Sequence, residues 1–322
     1  MNKIRVAVIG AGVFGRHHLR VLSQSVNATL VGVVDADPER AALAAAEHNC
    51  LTFATLGELQ GNVDAAVLAT PTSLHAEVGC ELLASGIDLL VEKPIAADLA
   101  SARRLVDTAA EHERILQIGH LERFNPAVTA LKKVMTLPLF FEIHRLSLFS
   151  PRSLDVNVVL DLMIHDLDIV LDLAGGMPEE IRAAGISILS DKVDIANVRL
   201  SFPGGCIANL TASRVSTERV RKLRVFQPSQ YISLDYQRQD LLAFTIQDAP
   251  DAATSKEIHC EAVTVEKSEP LKLEVEGFLE SVATRSAPPV TGEEGLAALE
   301  VALAILAKIE EHTQRISEQL VQ

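Results

Sequence analysis

The feature that most constrains this chain is a glycine-rich turn directly after its first apolar segment. The apolar run Ile4 to Ile9 ends in Gly10-Ala11-Gly12-Val13-Phe14-Gly15, and a helical pattern begins near Val13. In a strand–turn–helix unit of this kind, the first glycine permits a tight turn and the second lets backbone approach a pyrophosphate. The third brings the helix close to the strand. The helix N-terminus adds free N–H groups that favour phosphate. The segment therefore predicts a bound dinucleotide, held by Gly10, Gly12, Val13, Phe14 and Gly15.

An acidic residue further along the chain indicates which dinucleotide binds. Asp35 lies twenty residues after Gly15, at the end of a second apolar run. A carboxylate at that place accepts hydrogen bonds from both ribose hydroxyls and repels a 2′-phosphate. We therefore predict NAD, rather than NADP, as the cofactor.

Length and composition predict a two-domain globular protein. The 322 residues exceed what one hydrophobic core usually supports, and 48% hydrophobic with 22% charged residues indicates a well-buried chain. The net charge of −14 argues against nucleic acid as a partner. The basic residues between 219 and 224 alternate with apolar ones, which is typical of the solvated face of a strand and less so of an anion site.

The cysteines and the N-terminal segment bear on the compartment. The four cysteines are far apart and form no Cys-x-x-Cys pair, which predicts neither a zinc site nor a disulfide framework and points to a reducing cytoplasm. The first apolar stretch is broken by glycines and followed at once by Arg16, unlike a signal peptide. No stretch reaches the roughly 20 apolar residues of a membrane helix. We expect a cytoplasmic protein with no membrane partner.

Residues 1–119 alternate short apolar runs with alanine-rich helical patterns. After the first strand, the predicted strands are Thr29–Val34, Val63–Ala69, Ile87–Val91 and Ile115–Ile118. Such alternation predicts parallel strands joined by crossover helices, with both faces of the sheet covered. We therefore predict an α/β fold with a Rossmann-type doubly wound sheet, whose ligands lie beyond the carboxyl ends of the strands.

Residues 120–322 show a different pattern, which predicts a second, α+β domain for substrate binding and oligomerisation. The predicted strands are Leu139–Leu148, Ile181–Leu189, Val193–Phe202, Cys206–Ser213, Val220–Phe226 and Tyr231–Asp235, and the closing helices are Leu271–Thr284 and Gly292–Thr313. Successive strands of this kind form a mainly antiparallel open sheet. The open face of such a sheet commonly packs on another subunit, so we expect a homo-oligomer, a dimer or tetramer.

Two segments follow strands toward the predicted cofactor edge of the first sheet. Thr70, Pro71 and His75 follow the third strand, and Glu92-Lys93-Pro94 follows the fourth. We predict cofactor contacts at Thr70, Pro71, His75, Glu92 and Lys93. The position of Lys93, rather than its residue type, indicates a functional role, since a surface lysine after a strand is commonplace. Thr72 or Ser73 can also serve as a cap for the next helix.

The segment 156–173 is apolar on nearly all sides, yet it carries a polar stripe. Asp161, His165, Asp168 and Asp172 recur at helical spacing, which places them on one face. His165 can accept a hydroxyl proton near neutrality, and Asp161, one turn earlier, can orient the imidazole. The alternative is a stripe that merely faces solvent.

A metal site at Asp161, His165 and Asp166 is the weaker interpretation of this segment. Asp166 points about 100° away from His165 on a helix, and no second histidine stands at ligand spacing. We therefore predict no metal. Arg123, Arg145 and Arg152 suggest instead an anionic group on the substrate, because a guanidinium matches carboxylate or phosphate oxygens.

Taken together, Gly10 to Gly15, the Glu92-Lys93-Pro94 tripeptide and the Asp161-to-His165 segment resemble the Gfo/Idh/MocA family of NAD(P)-dependent sugar oxidoreductases. The likeness runs over essentially the whole chain. In that family the lysine, aspartate and histidine surround the sugar carbon that exchanges hydride with the nicotinamide. The resemblance therefore implies Lys93, Asp161 and His165 as the catalytic set, which also contacts the substrate.

Within the family, residues 120–127 and 155–168 are most similar to UDP-N-acetylglucosamine 3-dehydrogenases, which supply a 3-keto nucleotide sugar for a lipid A diamino sugar. This resemblance implies a nucleotide-sugar substrate, with Arg123, Asn125 and Arg152 as further contacts. Alternatives are a UDP-uronic acid, inositol or another sugar as substrate. A non-catalytic NAD-binding regulator on the same fold is a further alternative, which the proton-transfer set disfavours.

Overall fold

The computed structural model describes residues 3–149, 156–248 and 256–320. The chain divides into two units, the first made of Met1–Leu121 and Glu269–Leu299, the second of Glu122–Ser268 and Glu300–Gln322. The predicted boundary after residue 119 assigns everything beyond it to the second domain, whereas residues 269–299 pack with the first unit.

Eight α-helices lie in the described part of the chain. They are α1 (Val13–Gln24), α2 (Pro38–His48), α3 (His75–Ala84), α4 (Leu99–Glu111), α5 (Pro126–Val134), α6 (Ile164–Ala174), α7 (Pro270–Thr284) and α8 (Gly292–Leu320). Short 3₁₀ turns occupy Leu56–Leu59, Thr72–Leu74 and Leu121–Phe124, and a π-helical turn occupies Val159–Met163. Among the described residues, no helix is both long and apolar enough to span a bilayer.

The first unit is built on a six-stranded sheet. Its strands are β1 (Ile4–Ile9), β2 (Ala28–Val34), β3 (Leu51–Phe53), β4 (Ala65–Leu68), β5 (Asp88–Glu92) and β6 (Leu116–Gly119). They lie in the order β3-β2-β1-β4-β5-β6, and every pair is parallel. The predicted doubly wound parallel sheet is confirmed, with β3 as a short additional edge strand.

An apolar face on α7 explains why this late segment joins the first unit. Val275, Phe278, Leu279 and Val282 are buried in the same core cluster as residues of β1 and α1. Their spacing of three, four and seven residues places them on one side of the helix. Hydrophobic burial therefore fixes α7 against the nucleotide-binding half of the chain.

The second unit contains an eight-stranded sheet. Its strands are β7 (Phe140–Leu148), β8 (Glu180–Ile186), β9 (Ile195–Ser201), β10 (Ile207–Ser216), β11 (Val220–Gln227), β12 (Gln230–Asp235), β13 (Asp240–Asp248) and β14 (Lys256–Val263). Their order is β14-β13-β12-β11-β7-β10-β9-β8. The pair β7–β10 is parallel and the other pairs are antiparallel. The mainly antiparallel prediction is confirmed, and β13 and β14 extend it.

Candidate active site

The glycine turn after β1 has three glycines with different structural demands. Gly10 has φ +96°, and a Cβ there would lie 2.6 Å from the Ala69 carbonyl oxygen. A Cβ on Gly15 would lie 1.8 Å from the Gly10 carbonyl oxygen. The fold itself therefore requires glycine at positions 10 and 15. A Cβ on Gly12, by contrast, would meet nothing within 4 Å.

The start of α1 fits a pyrophosphate. Gly12 is its N-cap and provides no side-chain hydrogen bond to the first turn. The first N–H groups of a helix need outside partners, which a phosphate supplies. Val13 and Phe14 in that turn are 62% and 53% exposed. Open space beside Gly12 and uncapped N–H groups are what a close phosphate contact requires.

Asp35 follows β2 beside this turn. Its carboxylate accepts hydrogen bonds from the backbone N–H of Ala11 at 2.6 Å and of Asp37 at 2.8 Å. Arg40 Nε donates to the same carboxylate at 3.1 Å. Burial raises the pKa of Asp35, but these hydrogen bonds outweigh it and hold the pKa below its ordinary value. A charged carboxylate beside the glycine turn suits a ribose diol.

His75 joins two of the loops that were predicted to contact the cofactor. Its Nε2 lies 2.9 Å from the Thr70 carbonyl oxygen and its Nδ1 lies 3.0 Å from the Pro94 carbonyl oxygen. The side chain is buried, and burial lowers the pKa of His75 although both carbonyl contacts act to raise it. His75 therefore links the loop after β4 to the segment that contains Lys93. Its contact with the cofactor stays a prediction.

The start of α3 tests the helix-capping role considered for Thr72 and Ser73. The N-cap of α3 is Leu74, and no side chain makes a capping hydrogen bond there. The capping role considered for Thr72 and Ser73 is therefore wrong. The 3₁₀ turn Thr72–Leu74 leads directly into α3, so neither residue occupies the cap position.

Glu92 ends β5 and has a partner that the sequence did not reveal. His18 Nε2, on α1, lies 2.6 Å from Glu92 Oε1. Burial raises the pKa of Glu92, but the hydrogen bond and charge of His18, together with the charge of Lys93, outweigh it, and the pKa lies below its ordinary value. Glu92 is therefore a carboxylate within the first unit, beside Lys93. The cofactor contacts of Glu92 and Lys93 stay predictions.

In the second unit, a π-helical turn interrupts the helix predicted over 156–173. The turn spans Val159–Met163 and contains Asp161, and α6 begins directly after it. Both Asp161 and His165 are half-buried, and Nδ1 of His165 is buried. The prediction of one regular helix is wrong at this turn. Such turns are frequent at functional sites, because the wider turn changes the direction of side chains.

Arg123 belongs to an ion-pair network with the later part of the polar stripe. Its guanidinium contacts both Asp168 carboxylate oxygens, at 2.8 and 3.0 Å, and Asp172 at 3.1 Å. Lys132 also pairs with Asp172. Asp168 is buried, so this part of the stripe is satisfied by cations of the same unit rather than by solvent. The substrate contact predicted for Arg123 stays a prediction.

Arg145 is held in a buried ion pair. It donates to both oxygens of Asp166, at 2.6 and 2.9 Å, and to Glu122 at 3.0 Å. Its guanidinium also lies 5.2 Å from the centre of the Tyr236 ring. Burial lowers the pKa of Arg145, but the two carboxylates outweigh burial and raise it above its ordinary value. Since Arg145 binds both oxygens of Asp166, the structure does not support Asp166 as a metal ligand.

Two further predicted substrate contacts have different outcomes. Asn125 is buried, caps α5 by accepting a hydrogen bond from Ala127 N–H, and donates to the Tyr236 carbonyl at 3.0 Å. These contacts give Asn125 a structural role, and its contact with substrate stays a prediction. Arg152 lies outside the described residues.

Comparison with known proteins agrees with this geometry. Residues 4–120 match the family model described as oxidoreductase family, NAD-binding Rossmann fold, and residues 145–227 match the GFO/IDH/MocA C-terminal domain. A UDP-N-acetylglucosamine 3-dehydrogenase from Acidithiobacillus ferrooxidans is 36% identical over 98% of this chain and 100% of its own length. The chain belongs to the Gfo/Idh/MocA family.

Two more comparisons agree with this family assignment. A solved structure of the Acidithiobacillus ferrooxidans enzyme has a TM-score of 0.89 and covers 97% of this chain and 99% of its own. An inositol 2-dehydrogenase from Rhizobium meliloti is 26% identical over 97% of this chain and 98% of its own length. The family assignment makes this chain an NAD-binding dehydrogenase. The glycine turn and Asp35 are the residues that fit NAD.

Proposed function

We propose that this protein oxidises a hydroxyl of a nucleotide sugar to a ketone, with UDP-N-acetylglucosamine as substrate and C3 as the oxidised carbon. The likeness to a UDP-N-acetylglucosamine 3-dehydrogenase over 98% of the chain is the observation that carries this proposal. The 3-keto product suits later amination, as the synthesis of a diamino sugar for lipid A requires. The reaction then takes place in the cytoplasm, where UDP sugars are made.

The first unit supplies the cofactor contacts in this proposal. The turn at Gly12, with Val13 and Phe14, receives the pyrophosphate, and Asp35 receives the ribose hydroxyls. Bound NAD supplies a hydride acceptor. Asp35 is already charged and fixed by two backbone N–H groups, so it is oriented before the ribose arrives.

Three side chains carry out the proton chemistry in this proposal. His165 accepts the proton of the substrate hydroxyl, Asp161 orients the imidazole, and the Lys93 ammonium stabilises the developing alkoxide by a charged hydrogen bond. The half-buried state of His165 suits this role, since one side can reach substrate while Nδ1 stays away from water. Glu92 and Lys93 attract each other, and the charge of Lys93 lowers the pKa of Glu92.

The anionic diphosphate of a UDP sugar needs cationic partners on the protein. Arg123 and Arg152 are our candidates, with Asn125 as a polar neighbour. Because Arg123 already neutralises Asp168 and Asp172, it would have to share its guanidinium between these carboxylates and the substrate. Arg152, which lies outside the described residues, is the second candidate.

We also propose that the protein is a homo-oligomer through the large sheet of the second unit. One face of this sheet carries an aromatic row, in which Phe226 and Tyr231 stack at 5.4 Å between ring centres and Tyr231 and Phe244 at 4.3 Å. Glu142, Lys222 and Arg224 surround this row. Aromatic residues with a charged rim are typical of protein interfaces.

A second candidate function rests on the similarity to inositol 2-dehydrogenase. The same proton-transfer set serves any secondary hydroxyl, so a free polyol or a UDP-uronic acid is the main rival substrate. A regulator that binds NAD without turnover is the remaining rival, and it has no need of the Lys93, Asp161 and His165 set.

One experiment separates these candidates. The purified protein is incubated with NAD and, in parallel, UDP-N-acetylglucosamine, a UDP-uronic acid or myo-inositol, and NADH absorbance is recorded. A ketone trap or a coupled aminotransferase removes the product, so that an unfavourable equilibrium does not hide turnover. We expect NADH with UDP-N-acetylglucosamine and none with His165→Ala. Turnover of inositol alone supports the polyol dehydrogenase, and NAD binding without turnover on any substrate supports the regulator.

A further inference from the structure

Three titratable side chains from distant segments meet in the interior of the first unit. They are His18 on α1, Glu92 at the end of β5 and Glu274 on α7, and one nitrogen or oxygen from each lies within 4.8 Å of the others. His18 and Glu274 have no exposed surface. None of the motifs discussed above includes His18 or Glu274.

Glu274 is the unusual member of this group. Both of its carboxyl oxygens are buried and, among the described residues, neither accepts a hydrogen bond. The side-chain amide of Gln117 donates to the Glu274 backbone carbonyl at 3.1 Å rather than to its carboxyl group. A buried carboxylate without a donor loses the free energy of its hydration, so the neutral acid is favoured.

The surroundings of Glu274 and Glu92 shift the pKa values of the two carboxyl groups in opposite directions. Burial and the nearby charge of Glu92 both raise the pKa of Glu274 well above its ordinary value. Glu92 instead has the hydrogen bond and the charge of His18, and the charge of Lys93, which outweigh burial. Two neighbouring carboxyl groups in such unlike environments are expected to hold one proton between them.

His18 occupies one side of Glu92 only. Its Nε2 is 2.6 Å from Glu92 Oε1, while its Nδ1 is buried and has no hydrogen-bond partner among the described residues. Because a carboxylate can only accept, His18 donates from Nε2 to Glu92 Oε1 and leaves the other side of Glu92 open to Glu274.

We propose that Glu274 carries a proton and uses it to donate a hydrogen bond to Glu92, and that Glu274 thereby acts as a positioning residue for the end of β5, directly before Lys93. His18 and Glu274 then each donate a hydrogen bond to Glu92 from opposite sides. Glu92 in turn fixes the backbone at Lys93. The consequence for catalysis rests on the role proposed for Lys93. The protonation of Glu274 does not depend on that role.

The direct test is infrared difference spectroscopy at neutral pH on the full-length protein. Glu274→Gln is compared with wild type, and Glu276→Gln serves as the matched control on the same helix, because Glu276 is partly exposed and pairs with Lys272. We expect a protonated-carboxyl C=O band that Glu274→Gln removes and Glu276→Gln leaves. An unchanged band overturns the proposal, as does a stoichiometric divalent metal in the purified protein that Glu274→Gln loses.

A second readout uses stability against pH. A carboxyl whose pKa is raised on folding contributes stability that is complete below its unfolded pKa and is lost as pH rises through the folded pKa. Wild type should therefore lose unfolding free energy relative to Glu274→Gln as pH rises above the ordinary glutamate range, and Glu276→Gln should show no such trend against wild type. A difference that stays constant with pH would refute the neutral acid.

The positioning role predicts a kinetic split. Glu274→Gln keeps a donor to Glu92 and should retain kcat within about twofold, whereas Glu274→Leu removes the donor and should lower kcat at least about tenfold, a change of one decade in rate. The Kd for NAD should stay unchanged in both variants. Equal kcat in the two variants overturns the positioning role. An enzyme inactive on every substrate indicates instead that the proposed function is wrong, and the spectroscopic test still stands.

Discussion

Replacing Gly12 by alanine separates cofactor binding from folding. The backbone there has φ −68° and ψ −164°, which any residue adopts, and the added Cβ meets nothing within 4 Å. Such a substitution changes stability by no more than about 1 kcal/mol. In the complex with NAD, however, we expect this methyl group to lie where the pyrophosphate approaches. An extra methyl in a packed contact costs about 1–3 kcal/mol, so NAD should bind about 5- to 150-fold more weakly.

Gly15→Ala is the matched control. Alanine is about 1 kcal/mol better than glycine inside a helix, but its Cβ would lie 1.8 Å from the Gly10 carbonyl oxygen. The backbone must move, so we expect Gly15→Ala to lose thermal stability and NAD binding together.

The assay is a titration that follows NADH fluorescence, combined with thermal unfolding of each variant. Gly12→Ala should keep the unfolding midpoint of wild type and lose affinity. If Gly12→Ala binds NADH as tightly as wild type does, the pyrophosphate does not approach this position and the cofactor geometry is incorrect.

Three further predictions test other parts of the account. Asp35→Ala should weaken NAD binding and relax discrimination against NADP, and an unchanged cofactor preference in steady-state kinetics would contradict the ribose contact. His165→Ala should lower kcat by about 10²–10⁴-fold while NAD affinity stays the same, and near-normal turnover would remove His165 from the mechanism. Asp166→Asn breaks the buried pair with Arg145 and should cost about 3 kcal/mol of unfolding free energy, the lower end for such pairs, since Glu122 still contacts the guanidinium. The exposed pair of Glu180 provides the control, because Glu180→Gln should cost less than about 1 kcal/mol in urea unfolding. Equal losses in the two variants would contradict the burial argument.

Features that depend on near neighbours in the chain could be predicted from the sequence. Gly10 has a positive φ and a Cβ on Gly15 would collide with the Gly10 carbonyl, so both positions need glycine for local reasons. The apolar runs also predict the strands of the parallel sheet, because strands covered on both faces lack polar residues.

Features that depend on distant partners could not be predicted. The sequence presents Arg123 and Arg145 as candidates for an anionic substrate, and only the fold brings Asp168 and Asp166 to them. Glu274 lies 182 residues after Glu92 in the chain, so no spacing rule joins them. Its isolation among apolar residues on the core side of α7 was the one available signal.

Two local features also escaped prediction for physical reasons. The strand β14 is almost entirely exposed, so its short alternation of apolar and polar residues from Glu257 to Ala262 marks no buried face. The π-helical turn at Val159–Met163 has the composition of an ordinary buried helix, and its extra width comes from the hydrogen-bond pattern. It changes the angular relation between Asp161 and His165.

The central claim is that Lys93 and His165 act on the same substrate hydroxyl. A crystal structure of the protein with NAD and UDP-N-acetylglucosamine tests it most directly. The account predicts that Lys93 Nζ and a ring nitrogen of His165 both lie within hydrogen-bond distance of the sugar 3-hydroxyl. A complex in which the two side chains contact different parts of the ligand, or only one contacts it at all, would contradict the account.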